Sequence, residues 1–367
     1  MPALIDTPEA LHAALDLLAP HTRIALDTES DSFHAYKPKL CLLQLSVPGH
    51  DFLIDPLAEL DLAPLGELLG DPNRRVILHA AENDVIQMKH EFGWRIPGLF
   101  DTQIACFVLG TPPYSLAGVL EGRFGVKLDK SQQRSDWAAR PLSDAQLEYA
   151  ADDTRYLIEL HEELDAKAGE AGRREEIAHE CARIAERDWE PEPFDPEGFR
   201  RMKGAKELDA YGLRILRGLH LMRHEEAEKR NRPAYRIAND QMLMEIARKK
   251  ATRGEGQRAQ GFWRRYGKRV AGIVRSEKDK PPLPKPKRER TRGTPDAPEV
   301  KERYELLRKW RAKAAEERGV ESWVVARNEL LIKIARAEPA ARSDLEGLMA
   351  AFRYREYGDA MWGALGG

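Results

Sequence analysis

The sequence predicts an α/β domain, a mixed sheet flanked by helices, followed by an all-helical half. Three observations carry that prediction. Apolar, β-compatible segments joined by a short turn come early and then alternate with helical patterns; strand signal almost vanishes after about residue 200; and the later half repeats itself at an offset of 88 residues.

Taken in order, Leu11, Leu15 and Leu18 recur at helical spacing behind Thr7, a candidate cap, and predict a helix over 8–19. Thr22–Glu29 and Leu40–Val47 read as strands, and Asp51–Asp55 as a third after the Pro48-Gly49 turn. So short a turn makes the last two antiparallel. A helix near 61–70 precedes a buried strand, Val76-Ile77-Leu78-His79, which leads into a helix carrying Asp84, Ile86, Met88 and Phe92. Further helices are expected at 101–109, 115–122 and 143–168.

The pattern changes near residue 190, where Pro191 and Pro193 mark a linker. Beyond it, Arg223, Ala227, Glu228 and Arg230 match Arg311, Ala315, Glu316 and Arg318 without gaps. The match continues from Ile237/Val325 to Arg248/Arg336, so two copies of one small helical module are expected. The resulting division is 1–190, 200–280, a Pro/Lys/Arg-rich linker over 281–298, and 299–367. A length of 367 residues suits such a multi-domain chain.

A formal net charge of −2 conceals an uneven distribution. Residues 1–165 hold 13 Lys and Arg against 27 Asp and Glu, leaving 46 against 34 for the rest. An acidic first part beside a basic second part fits a cation site beside a polyanion-binding surface; solvated helix faces are the plainer account of the same excess. Cys41, Cys106 and Cys181 are too few and too scattered for a disulfide framework or a zinc site, which points to a reducing compartment. No apolar run approaches the ~20 residues that span a bilayer, and the amino terminus lacks a basic segment before an apolar core. A cytoplasmic protein with no membrane partner is therefore expected.

Chemistry concentrates where the first strand ends, at Leu26-Asp27-Thr28-Glu29. Side chains on a strand alternate, so Asp27 and Glu29 share a face, and two adjacent carboxylates favour a divalent cation with oxygen ligands. Asp84 follows a buried strand at a helix start, where it can equally cap the helix. In Leu147-Glu148-Tyr149-Ala150-Ala151-Asp152-Asp153, four-residue spacing puts Tyr149 and Asp153 on one helical face and excludes Asp152 from it.

Four acids and a phenol in this order resemble the DEDD exonuclease family, which has a ribonuclease H-like fold, in its tyrosine-bearing subgroup. The three motifs stand as Leu26-Asp27-Thr28-Glu29, His79-Ala80-Ala81-Glu82-Asn83-Asp84 and Tyr149-x-x-x-Asp153. Supporting stretches include Asp55-Pro56-Leu57, Asp101-Thr102-Gln103 and Arg140-Pro141-Leu142, and the likeness spans about residues 20–165. The repeated modules look like HRDC domains, shared by RecQ-type helicases and ribonuclease D.

The resemblance implies 3′→5′ hydrolysis of RNA to 5′-mononucleotides with two divalent ions, Mg²⁺ or Mn²⁺. Its expected substrates are tRNA precursors or other structured RNA. By the same likeness Asp27 bridges the ions, Glu29 and Asp153 complete the nucleophile-side ion, Asp84 holds the second, and Tyr149 orients water. Phe33 and Tyr36 are candidates to stack on the terminal base, with ordinary loop packing as the alternative; Lys130 and Arg134 are candidates for phosphate. Gln44 and His79 read as structural. Arg223, Arg230, Arg232, Lys249, Lys250, Arg264, Arg265, Arg311 and Lys313 are candidate phosphate contacts in the helical half, whose modules can alternatively bind protein or pack on the first domain. DNA hydrolysis and non-catalytic RNA binding are the competing readings.

Overall fold

The computed structural model describes residues 4–129, 131–188, 193–253, 260–284 and 297–366. Six strands form one sheet: β1 (Leu4–Ile5), β2 (Arg23–Ser30), β3 (Leu40–Val47), β4 (His50–Ile54), β5 (Arg75–Leu78) and β6 (Leu99–Asp101). Their order is β1-β4-β3-β2-β5-β6. β3 runs antiparallel to both β2 and β4, while β1–β4, β2–β5 and β5–β6 are parallel, so the expected mixed sheet forms. β1 and β6 escape the sequence pattern because two or three residues are too few to show an alternation.

Eight helices accompany the sheet: α1 (Pro8–Leu18), α2 (Ala63–Leu69), α3 (Glu82–Phe92), α4 (Thr102–Leu109), α5 (Leu116–Phe124), α6 (Asp144–Arg155), α7 (Leu157–Glu170) and α8 (Arg174–Ala185). Thr7 caps α1 by accepting the Ala10 N–H at 3.3 Å. β3 is buried throughout, as a strand covered on both faces must be. One face packs Leu42 and Leu53 against Trp137, Leu142 and Ala150 of the α6 region. Toward β5 and β6 the same face, which carries Arg23, Ala25, Ile77 and Phe100, is covered by α7: Glu162 binds Arg23 at 2.6 Å and His161 meets Phe100 with ring centroids 4.5 Å apart. The single helix expected over 143–168 is broken at Tyr156 (φ −102°, ψ −2°), between a part that covers β3 and β4 and a part that covers β2 and β5.

The second half contains α9 (Ala210–Lys229), α10 (Ala234–Ile237), α11 (Asp240–Lys249) and α12 (Gln260–Ser276), then α13 (Pro298–Arg318), α14 (Ser322–Val325), α15 (Asn328–Ala337) and α16 (Ala351–Ala364). The 88-residue offset carries α10 and α11 onto α14 and α15 residue for residue. It also relates the cores, with Leu219, Leu243 and Ile246 in one module and Leu307, Leu331 and Ile334 in the other. Most of the proline-rich linker, 285–296, lies outside the described residues.

Two of the expected phosphate contacts turn out to be internal braces. Arg223 donates to the Ala238 carbonyl at 3.2 Å and to Asp240 at 2.6 Å. Its counterpart Arg311 donates to the Ala326 carbonyl and to Asn328, both at 2.8 Å. Each guanidinium satisfies a helix-flanking carbonyl that packing has removed from water.

The second module is bolted to the first domain. Arg318 bridges Glu176 at 2.7 Å and the Val108 carbonyl at 2.8 Å, and Arg327 reaches Glu180 at 2.7 Å. Trp323 meets Phe107 edge-on with centroids 5.2 Å apart. Among the described residues, no helix is long and apolar enough to cross a membrane.

Candidate active site

β2 delivers Asp27 and Glu29 on one face, with Asp27 opposite Gln44 of β3 and Glu29 opposite Leu42. The register slips at Glu29/Ser30, a bulge at the strand end that re-aims the chain beside the acids. Thr28, between them, points the other way and donates its hydroxyl to Asp84 at 2.5 Å.

Asp84 lies in the first turn of α3. A buried carboxylate, Asp101, sets that helix start by accepting the Ala80 and Ala81 N–H groups at 3.0 and 2.8 Å. Ala80 is held at φ +60°, an uncommon conformation for a residue with a Cβ, and those bonds offset its strain. Asp101 also caps α4 through Gln103 and Ile104, at 2.8 and 3.2 Å, so one side chain fixes two helix starts. His79 joins the same frame, contacting Thr102 at 2.9 Å and the Tyr114 carbonyl at 3.0 Å, which is a structural role.

α6 brings Tyr149 and Asp153. A Ser143/Gln146 capping box starts this helix, and the Thr154 hydroxyl, 2.7 Å from that of Ser46, seats it on β3. Arg155 ties the helix end to Asp51 at 2.9 Å. Asp152 turns aside to pair with Arg155, as the spacing argument required. Arg140, bound to Asp55 at 2.6 and 2.7 Å and to the Cys41 carbonyl at 2.7 Å, holds the preceding loop on the sheet; the stretches around both residues were matched in sequence without a role.

The four acids feel one another. Burial, then Asp84, Asp153 and Glu29, push Asp27 well above the usual carboxylate range. Burial with Asp153 and Asp84 raises Glu29 to about 9. Burial lifts Asp153 to about 7, although a hydrogen bond from Tyr149 opposes it, and lifts Asp84 to about 6 against the pull of Thr28. Burial, then Asp153, Glu29 and Asp27, raise the Tyr149 phenol above its ordinary value.

Such an arrangement is unfavourable unless a cation enters, and its donors are all hard oxygens of the kind Mg²⁺ and Mn²⁺ prefer. The amide of Gln44, fully buried opposite Asp27, has both polar atoms unpartnered within the protein, a further sign of a polar interior. Among the described residues no three such side chains are drawn tightly enough around one point to hold an ion as they stand.

The other predicted residues divide. Phe33 is exposed, and the Arg134 guanidinium lies 5.8 Å from its ring centroid. Tyr36 is instead committed to the first helical module: its hydroxyl sits 2.7 Å from His224 Nδ1 and its ring packs into that module's core, which corrects its reading as a stacking platform. Lys130 lies outside the described residues.

Comparison with known proteins agrees with this geometry. The 3′–5′ exonuclease family matches residues 2–168, and the HRDC domain family matches twice, over 212–274 and 300–365. Fold and site thus define a 3′–5′ exonuclease domain carrying two HRDC domains, a class that works with divalent metal ions. Ribonuclease D of Granulibacter bethesdensis is 31% identical over 351 residues, covering 92% of this chain and 87% of that protein. Ribonuclease D of Acidiphilium cryptum is 35% identical over 249 residues, 67% of this chain; the match spans 63% of the length of that relative. The crystal structure of Escherichia coli RNase D, described as an exoribonuclease involved in structured RNA processing, is 26% identical with a TM-score of 0.65, covering 100% of this chain and 99% of that one. The chain belongs to the ribonuclease D family.

Proposed function

We propose that this protein is a divalent-metal-dependent exoribonuclease that removes nucleotides from the 3′ end of RNA, releases 5′-mononucleotides, and trims structured precursors such as those of tRNA. The observation that carries the reading is the meeting of Asp27, Glu29, Asp84 and Asp153 at one place, where Asp84, Asp153 and Glu29 raise the pKa of Asp27, and Asp153 and Asp84 that of Glu29. Family likeness supports the RNA substrate and the direction.

Asp27, Glu29, Asp84 and Asp153 are the side chains that would hold two divalent ions. Bound there, such ions supply Lewis-acid stabilisation of attacking and leaving oxygens and a water acidic enough to yield hydroxide near neutral pH. Tyr149, its phenol pushed further up by burial and by the acids, stays protonated at working pH. Its one O–H goes to Asp153, so its oxygen orients the attacking water as a hydrogen-bond acceptor without taking the proton. Asp153 accepts from Tyr149 and fixes that orientation. The exposed Phe33 ring offers the terminal base a surface indifferent to base identity, and Arg134 beside it offers a charge to phosphate. Exposed Arg232, Arg264 and Arg265 are further candidates to retain the body of the RNA.

A time course on RNA labelled at its 5′ end, with Mg²⁺, with Mn²⁺ and with chelator, tests the proposal. Shortening from the unlabelled end that stops in chelator is expected. Metal-independent cleavage, or a large preference for matched DNA, would overturn it.

A further inference from the structure

The loop that follows β2 carries Phe33, and it is gripped by the first helical module. Asn231 Oδ1 accepts two successive backbone N–H groups, those of Tyr36 at 3.1 Å and Lys37 at 3.3 Å. The Tyr235 hydroxyl donates to the carbonyl of Phe33 itself at 3.0 Å. Tyr36 meets His224 at 2.7 Å, and His224 is held in turn by Phe194, stacked with centroids 3.6 Å apart and planes 3° apart. On its other side the loop is tied to the chain around Arg134, whose carbonyl lies 3.1 Å from His34 Nε2.

The duplicated module supplies an internal comparison. The 88-residue offset carries Asn231 onto Gly319 and Tyr235 onto Trp323. Both 231 and 319 end a long helix in the left-handed conformation, at φ +45° and +70°. The second module fills this position with glycine, the residue that adopts it without strain, and its backbone there passes close to Gly110. The first module fills it with asparagine, which accepts the strain and gains a side chain directed at the Phe33 loop. Likewise Trp323 packs on Phe107 of α4, whereas Tyr235, over half exposed, contributes its hydroxyl to the loop.

We propose that the first helical module is part of the substrate-positioning apparatus of the active site: Asn231, Tyr235 and His224 are positioning residues that hold the 31–37 loop so that Phe33 is presented to the terminal base. This deepens the exoribonuclease reading and rests on it. The module then acts on the reaction through Phe33, independently of any contact its own surface makes with RNA.

Kinetics of the full-length chain on single-stranded RNA ending in 2-aminopurine test the idea. The variants are Asn231→Gly with Tyr235→Phe, Phe33→Ala, and all three together. Glycine keeps the left-handed turn and removes only the acceptor. The pair is expected to raise KM roughly five- to tenfold with kcat within about twofold, as partial loss of base stacking should. Asn231→Asp, which retains the acceptor, is expected to restore the wild-type KM. Added to Phe33→Ala, the pair is expected to change KM no further, because both act through one contact. An unchanged KM, or effects that multiply in the Phe33→Ala background, would overturn the proposal; so would a loss of kcat that tracks a lowered thermal midpoint. Fluorescence of the same RNA bound in chelator reads stacking without hydrolysis: quenching in the wild type that the pair relieves supports the proposal, and identical quenching in both refutes it. Failure of the wild type to shorten RNA counts against the exoribonuclease reading instead, and the quenching result still decides the role of the module.

Discussion

Two groups of acids in the exonuclease domain stand in opposite circumstances. On α8, Glu176 and Glu180 are almost completely buried, but the second module brings Arg318 to the first and Arg327 and Arg353 to the other. Burial pushes the Glu180 carboxyl up, and Arg327, Arg353 and Arg183 more than reverse it, leaving its pKa below the ordinary value. At the end of β2, Asp27, Glu29 and Asp84 are half-buried and Asp153 is buried, and all four have raised pKa values. A buried acid answered by the protein's own arginine is a fastening. Acids that raise one another's pKa instead are the feature on which the proposed cation site rests.

Replacement of one acid in each group should separate these meanings. The largest effect is expected from Asp27→Asn, which should lower hydrolysis on the order of 10³-fold or more, the loss of several kcal/mol of charge stabilisation. The same change relieves repulsion, so the thermal midpoint in chelator should hold or rise; a large fall would mean that the acid serves the fold. Glu180→Gln should do the reverse. Leaving Arg353 buried without its partner should cost about 3 kcal/mol in denaturant unfolding, the low end for a broken buried pair because Arg327 and Arg183 stay partly solvated. Cleavage of a short RNA by the folded protein should change little, and an unaltered unfolding midpoint would show that the arginines do no fastening.

The smallest and most diagnostic effect is on pH dependence. Glu180, with a lowered folded pKa, contributes stability that is present above its unfolded value near ~4 and is lost as the pH falls. The active-site acids work in the opposite direction. With folded values of about 6, 7 and 9 for Asp84, Asp153 and Glu29, they contribute in the absence of metal below ~4, and that contribution is lost as the pH rises through those values. Thermal melts in chelator should therefore decline between about pH 5 and 9. Saturating Mn²⁺ should cancel the decline and add about 2–3 kcal/mol at a hundredfold excess over its dissociation constant. Melts that are identical with and without metal would contradict the cation reading.

Much of the site was legible because it obeys local periodicity. Asp27 and Glu29 stand two apart on a strand, and Tyr149 and Asp153 four apart on a helix, so each pair announces a shared face. Residues that act through distant backbone did not announce themselves. Asp101 precedes a helix like any cap, and nothing nearby tells that it also sets the start of α3. Tyr36 reads as a loop aromatic because its partner lies 188 residues away. Arg223 and Arg311 looked available to phosphate since a cation on a helix carries no mark of the carbonyl it will meet. The helix break at Tyr156 was hidden by an apolar rhythm that continues through it, serving first β3 and β4 and then β2 and β5.

Duplication creates a problem of address, since two similar modules must each find a different berth on the same domain. Arg327 shows how the chain solves it. Arg327 occupies the N-cap position of α15, yet makes no capping bond and reaches across to Glu180. The equivalent residue in the first module is Asn239, which caps α11 through the Met242 N–H at 2.8 Å and is too short to make that reach. A helix cap is typically worth about 1 kcal/mol. By giving it up in one copy alone, the chain writes a label into the second module that the first cannot counterfeit, and the two halves of the repeat cannot be delivered to each other's place.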